Sequence, residues 1–405
     1  MLLAGVLLAL VLLVFSLGRS PVFRLDRAGA AISAAALTTA LGLLTFEQAV
    51  RSVDYRTIVV LFSMMIIVAN LRASGFFRLV GSLVLRSVAT RRQLLLAVVL
   101  ASGLLSAFFI NDVVCLLFAP IVILICREAG CEARPHLLGV ALAANIGSAA
   151  TFLGNPQNIL IASLSGAPFL SYFVTAAPVA GAGLLITYLA VRLIFARELE
   201  GTIPPSVRLR PRFHRALVLK SLIVLALVVG GYVAGKDLAV MSSLGAAALL
   251  VTRRVKPEKI YAAVDFNLLV MFAGLFVVVG GVEQTGLMRE LAGRLGAGRL
   301  QNLPGFAAAT VALSNLVSNV PAVMLLRPFI PAAGAGAWWM ALALFSTFAG
   351  NLTVTGSVAN LIVLETARRE NIRIGFWDYL KVGLPVTLAT SALGLVAFAR
   401  ALPWR

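Results

Sequence analysis

Four clusters of Asn, Ser, Gly and Pro interrupt otherwise apolar stretches of this 405-residue chain. Two read as tips of re-entrant hairpins: Ser106-Ala107-Phe108-Phe109-Ile110-Asn111-Asp112, and Ser314 through Ser318-Asn319-Val320-Pro321. Two read as unwound stretches inside helices: Gly154-Asn155-Pro156-Gln157-Asn158, and Gly350-Asn351 through Thr353 to Gly356-Ser357-Val358-Ala359-Asn360. Non-helical backbone at membrane depth is tolerated only where it is buried in protein or lines a cavity. Pro156 removes a helix donor, and Gly154 and Gly356 are expected to supply φ > 0. Helices restarting after such breaks aim free N–H groups and positive dipole ends at the centre, which suits an anion. The candidate substrate ligands are therefore Asn111, Gly154, Asn155, Pro156, Asn158, Ser318, Asn319, Gly356, Ser357 and Asn360. A single Asn in a bilayer more often just bonds a neighbouring helix; four clusters at paired breaks favour a site.

Asp112 is the one acidic residue expected at mid-depth, where an ionisable group is by default a functional hypothesis. It would repel an anion unless neutralised, so the natural resolution is coupling to H⁺ or Na⁺. Asn111, Asn351 and Thr353 complete the expected coupling-ion set. The competing reading is a buried Asp bonded across its own hairpin. Asp54 and Asp265 read as helix N-caps. Cys115, one turn beyond Asp112, is a soft ligand for arsenite or a small packing residue; Arg327 either binds anion or snorkels. Cys115, Cys126 and Cys131 lack Cys-x-x-Cys spacing and the only histidines are His136 and His214, so no metal site or disulfide framework is expected. Gly230 to Lys236 fits G-x-x-x-x-G-K, but Asp237 replaces the Ser/Thr and no strand precedes it. No ATPase module or catalytic set is present, so the chain is not read as an enzyme. No cofactor is expected beyond a transported or coupling Na⁺.

The elements that must position these groups are membrane helices. Only 12% of residues are charged, against about a quarter in a soluble domain. The net charge of +18 comes from residues between apolar runs of about 20 residues, with no basic stripe, which excludes a nucleic-acid partner. Uninterrupted spans are expected at 2–18, 28–45, 56–72, 168–195, 215–235, 238–252, 263–282 and 379–400. Interrupted ones fall at 93–126, 135–164, 303–335 and 337–366. Segments 76–92 and 284–300 read as amphipathic interfacial helices.

One pattern occurs twice. Val53-Asp54 returns as Val264-Asp265, Ser106, Asn111 and Pro120 as Ser314, Asn319 and Pro328, Gly154 and Asn158 as Gly356 and Asn360, and Tyr172 and Pro178 as Tyr379 and Pro385. The expected fold is all-α and polytopic: two inverted-topology repeats, 1–197 and 213–405, each about five transmembrane helices plus one re-entrant hairpin, joined by a basic linker, 198–212. With both termini outside and loop 196–214 cytoplasmic, 25 of the 34 Lys and Arg residues lie inside, as the positive-inside rule asks. Five crossings per half is odd, which inverts the second half.

At Asn111-Asp112 with Pro120, Phe152-Leu153-Gly154-Asn155-Pro156-Gln157-Asn158, and Gly350-Asn351-Leu352-Thr353 running to Asn360, the chain resembles the ion transporter superfamily. That superfamily includes arsenite permeases, citrate-type transporters, divalent-anion:sodium symporters and NhaD-type antiporters. The Gly-Asn-Pro-Gln-Asn block is most similar to the arsenite-permease-like anion permease branch. The resemblance implies a scaffold carrying a mobile transport domain, a homodimer, and elevator movement in the inner membrane. The tips depart from the Ser-Asn-Thr pattern of dicarboxylate symporters, reading Ile110-Asn111-Asp112 and Ser318-Asn319-Val320. The expected function is cation-coupled transport of a small anion or oxyanion, citrate/dicarboxylate-like or arsenite-like. The alternative is an Na⁺/H⁺ antiporter with no anion substrate.

Overall fold

The computed structural model describes residues 1–405 except 21, 205, 206, 208, 210, 253, 254, 288, 289, 291–299, 333 and 403–405. Among the described residues the regular structure is helical, in nineteen α-helices and two short 3₁₀ turns. The first half contains α1 (Leu2–Leu17), α2 (Arg27–Ala40), α3 (Phe46–Ser52), α4 (Tyr55–Ser74), α5 (Phe76–Arg86), α6 (Arg91–Phe108), α7 (Asn111–Glu128), α8 (Arg134–Ser148), α9 (Pro156–Ser165) and α10 (Phe169–Ile194). The second contains α11 (Arg215–Val233), α12 (Leu238–Leu250), α13 (Pro257–Tyr261), α14 (Phe266–Gln284), α15 (Leu303–Val317), α16 (Asn319–Leu326), α17 (Ala335–Ala349), α18 (Val358–Arg369) and α19 (Phe376–Phe398).

Six of the described helices are long and apolar enough to cross a membrane unaided, and four shorter apolar ones accompany them. The surface agrees with a lipid solvent: on α11, Leu219, Ile223 and Leu227 are each more than half exposed, one turn apart on one face. Polar side chains instead collect inside, with Asn145, Asn155, Asn158, Asn351 and Asn360 at 1% exposure or less. Without a hydrophobic drive between helices, lipid-embedded packing depends on close backbone approach at small residues. Gly147 of α8 sits directly on the backbone of Gly103 in α6, and a Cβ at Gly274 of α14 would come within 2.7 Å of the Ala31 carbonyl oxygen in α2.

The interruptions fall where the polar clusters place them. The first hairpin turns through extended Phe109 and Ile110, and the second turns at Ser318, a non-glycine residue at φ 77. That conformation is strained for an L residue. The long breaks separate α8 from α9 and α17 from α18. Gly154 and Gly356 correct one expectation, because neither adopts positive φ. They are required by crowding: a Cβ at Gly154 would meet the Ser106 carbonyl oxygen at 2.6 Å, and one at Gly356 would meet Asn315 Oδ1 at 2.8 Å. Span 28–45 is also shorter than expected, since α2 ends at Ala40 and Gly42 turns the chain at φ 70 before the Thr45-capped α3. Of the two interfacial segments, the first is helical over Phe76–Arg86 with Phe77 and Val84 buried; most of 284–300 lies outside the described residues.

Candidate functional site

The two long breaks are each closed by hydrogen bonds to their own loop. Asn158 Nδ2 donates to the carbonyls of Ser148 (3.4 Å) and Thr151 (3.2 Å), folding the loop back over α9. Asn360, 202 positions later, donates to those of Gly350 (2.7 Å) and Thr353 (3.1 Å), also 202 later. The helix starts are capped alike: Asn155 Oδ1 accepts from the Asn158 N–H at 2.9 Å, and Ser357 Oγ from the Ala359 N–H at 3.3 Å.

Each break is then tied down by a residue of the other half. Asn145, on α8, accepts from Asn111 Nδ2 (2.8 Å) and Ser357 Oγ (3.0 Å) and donates to Asn351 Oδ1 (2.9 Å) and Asn360 Oδ1 (3.0 Å). All four hydrogen-bonding positions of its amide are used. Thr347, on α17, meets Asn155 (3.0 Å), Gln157 (3.4 Å) and Asn158 (3.3 Å). Neither anchor is among the expected site residues. Their signal in the sequence is a polar residue within an apolar run, paired at the same 202-residue offset as Asn158 and Asn360.

Above this network lies a cavity of about 310 Å³. Of the expected substrate and coupling-ion residues, Asn111, Asp112, Pro156, Ser318, Asn319 and Ser357 line it. Gly154, Asn155, Asn158, Asn351, Thr353, Gly356 and Asn360 do not. Thr353 Oγ1 donates to Asn315 Oδ1 at 3.0 Å. Cys115 is fully buried away from the cavity, and Arg327 pairs with Glu283 at 3.8 Å outside it.

The lining also includes Asp26, Arg27, Gln157, Asp265 and Asn267. Asp265 is the N-cap of α14, accepting from the Leu268 N–H at 3.0 Å, and faces the cavity as well. Arg27 is tethered through Nε to the Phe15 carbonyl at 3.1 Å. The first residues of α2, α7, α9, α14, α16 and α18, or their N-caps, thus converge on one space. Side chains cap four of these starts, while α7 and α16, the second arms of the two hairpins, have no side-chain cap.

Acceptors are just as concentrated. Asn111 Oδ1 and Asn319 Oδ1, at the two tips, are buried and find no donor among the described residues. The Ala359 N–H faces the Asp112 carboxylate, with Arg27 and Asp265 as its charged neighbours. The Asp112 carboxylate and the two tip oxygens therefore suit a proton or a cation held by oxygen, while the uncapped N–H groups of the same two helix starts, with Arg27, suit an anion.

The citrate transporter family profile (CitMHS) matches residues 10–345. The chain belongs to that family. This citrate-transporter-family protein is 31% identical to a 46 kDa membrane protein of Mycobacterium leprae, covering 91% of this chain and 92% of the relative. It is 29% identical to the silicon efflux transporter LSI3 of Oryza sativa, covering 93% of each, and 30% identical to the inner membrane protein YbiR of Escherichia coli, covering 85% of this chain and 88% of that one. Its fold is similar to that of the Alcanivorax borkumensis YdaH transporter, with a TM-score of 0.59 over 99% of this chain and 97% of that one, at 17% identity. The family member described here is a multi-pass membrane transporter.

Proposed function

We propose that this transporter moves a small anion or oxyanion, citrate/dicarboxylate-like or arsenite-like, across the cytoplasmic membrane in exchange for or together with H⁺ or Na⁺. The observation that carries the reading is the cavity itself: two uncapped helix starts and Arg27 that favour an anion, beside Asp112 and the unpartnered Asn111 and Asn319 oxygens that favour a cation or proton. An anion alone would meet Asp26, Asp112 and Asp265 against one arginine. A co-bound cation or a proton on Asp112 removes that conflict, which makes coupling a requirement of the site's charge. The paired bonds at a 202-residue offset support two inverted repeats, 1–197 and 213–405. With loops 19–27 and 252–260 on the cytoplasmic side, the Asp26, Arg27 and Asp265 rim faces inward. The two hairpins and two broken helices then form the moving body of an elevator, the remaining helices the scaffold, in a homodimer.

The test is flux into proteoliposomes of labelled citrate, succinate, sulfate and arsenite, with silicic acid added because the rice relative is named for silicon efflux. Imposed Na⁺ or H⁺ gradients should drive at least one of them; failure of the whole panel would sink the anion reading. The three carboxylates favour a second reading, an Na⁺/H⁺ antiporter without an anion. Na⁺-dependent proton flux in anion-free buffer of an impermeant salt separates the two.

A further inference from the structure

At the opposite end of α7 from Asp112 the chain builds a second cluster of chemistry-bearing groups. Helix α7 stops in a Schellman turn: the Cys131 N–H donates to the Cys126 carbonyl at 2.9 Å and the Gly130 N–H to that of Arg127 at 3.2 Å, with Gly130 at φ 60. This motif brings the side chains of its third-last helical residue and its second residue beyond the cap together, and here both are cysteines. Helix α8 starts at once, placing His136 on its first turn facing the pair. The ligand atoms of Cys126, Cys131 and His136 all lie within 4.8 Å of one another. The sequence hides this, because Cys-x₄-Cys-x₄-His is not a recognised ligand spacing. It becomes one only when a helix end, a tight turn and a helix start are laid over it.

The imidazole is oriented as a ligand requires. Its Nδ1 lies 2.9 Å from the Glu132 carbonyl, so the ring proton sits there. With the proton on Nδ1, Nε2 carries the lone pair, and its hydrogen-bond contact among the described residues is the Arg91 carbonyl at 3.4 Å, an acceptor that a metal at Nε2 would displace. Metal-binding histidines are held in this way, one nitrogen donating to a backbone carbonyl and the other free to bind. The ring is fully buried, as is Cys126, while Cys131 is half-buried and gives the cluster its opening to solvent. The charged groups beside the cluster are Arg91 and Glu132, one of each sign. Tetrahedral Zn²⁺ with Zn–S bonds of about 2.3 Å needs its sulfurs about 3.8 Å apart and its sulfur and nitrogen about 3.5 Å apart, so closing the cluster takes about 1.3 Å or less.

We propose that Cys126, Cys131 and His136 form a binding site for a thiophilic divalent cation of the Zn²⁺ type, with three protein ligands and a fourth position open at Cys131. The geometry is independent of the transport cavity, which none of the three residues lines. Bound metal would fasten the far end of the Asp112-bearing helix to the helix carrying Asn145. In the orientation proposed above this turn faces the cytoplasm, whose reducing conditions keep the two thiols available as ligands instead of closing a disulfide.

The test uses the full-length protein purified in detergent with a reductant, its affinity tag removed, and titrated with Co²⁺ as a spectroscopic probe. One equivalent of Co²⁺ per chain should give thiolate-to-cobalt charge-transfer absorption in the near ultraviolet and tetrahedral d–d bands, and Zn²⁺ should bleach both. Loss of a residue that only hydrogen-bonds a ligand weakens such sites about 10–100-fold, so Cys131→Ser and His136→Gln, which remove ligands themselves, should each weaken Co²⁺ binding by at least that factor. Cys115→Ser should leave it unchanged. Cys131 is half-exposed, and its variant is checked for a monodisperse elution profile. Absence of charge-transfer absorption in the wild-type protein overturns the proposal, as does an undiminished band in folded Cys131→Ser.

Discussion

Asn145 should be the most costly polar residue to remove, because four hydrogen bonds converge on one amide that is 1% exposed. Asn145→Ala strips partners from Asn111 Nδ2, Ser357 Oγ, Asn351 Oδ1 and Asn360 Oδ1 together. Side-chain hydrogen bonds inside membrane proteins average about 0.6 kcal/mol each, with a maximum near 1.7. Four of them give about 2.4 kcal/mol at the average and about 7 at the extreme. The lower half of that range is expected, since Asn111 Nδ2 and Ser357 Oγ lie beside the cavity, where water can replace the lost partner. Equilibrium unfolding in mixed micelles, read by tryptophan fluorescence, should show a loss of about 2–4 kcal/mol. A double-mutant cycle with Asn360→Ala should return a coupling above about 0.5 kcal/mol. A loss below about 0.5 kcal/mol, or a coupling of zero, would mean that the central network carries no weight and that the helix crossings alone hold the breaks in place.

Other substitutions separate ligands from supports. Asn319→Ala removes a carbonyl oxygen that has no protein donor, so its stability should change by less than about 1 kcal/mol while flux falls at least tenfold; a large loss of stability with normal flux would make Asn319 a structural residue. Asp112→Asn should leave the protein folded and abolish the dependence of flux on the coupling ion, read by flux under imposed Na⁺ and pH gradients; unchanged dependence would remove Asp112 from coupling. Arg327→Ala breaks a pair with Glu283 whose members are 47% and 38% exposed, worth at most about 1 kcal/mol, and should leave KM for any transported anion unchanged. Gly154→Ala should cost about 1–3 kcal/mol by thermal unfolding, because the new methyl meets the Ser106 carbonyl across the hairpin.

The sequence exposes the breaks more readily than what holds them. Asn111, Asn319 and the Gly-Asn-Pro-Gln-Asn block stand out because polar and helix-breaking residues are conspicuous in an apolar run, and all fall at helix starts in the fold. Asn145 and Thr347 do not stand out. A lone Asn or Thr within a helix is commonplace in bilayers, and only the three-dimensional crossing reveals which partners it gathers. Asp265 reads as an N-cap and caps α14, while Asp26 caps α2, whose first residue is Arg27. What no one-dimensional pattern conveys is that those two helix starts face the same space as the hairpin tips. Gly154 and Gly356 mark the right places for a different reason, the crowding of one loop against another instead of a left-handed turn.

The exchange of anchors between the halves has a consequence for biogenesis. The first break is pinned by Thr347 and the second by Asn145, so neither half of the chain can complete its own binding surface. While the ribosome is still making the C-terminal half, Asn155, Gln157 and Asn158 sit in the bilayer without their final partner. The site forms only at the last stage of insertion, when α17 docks, and a truncated N-terminal half would be inserted yet unable to bind.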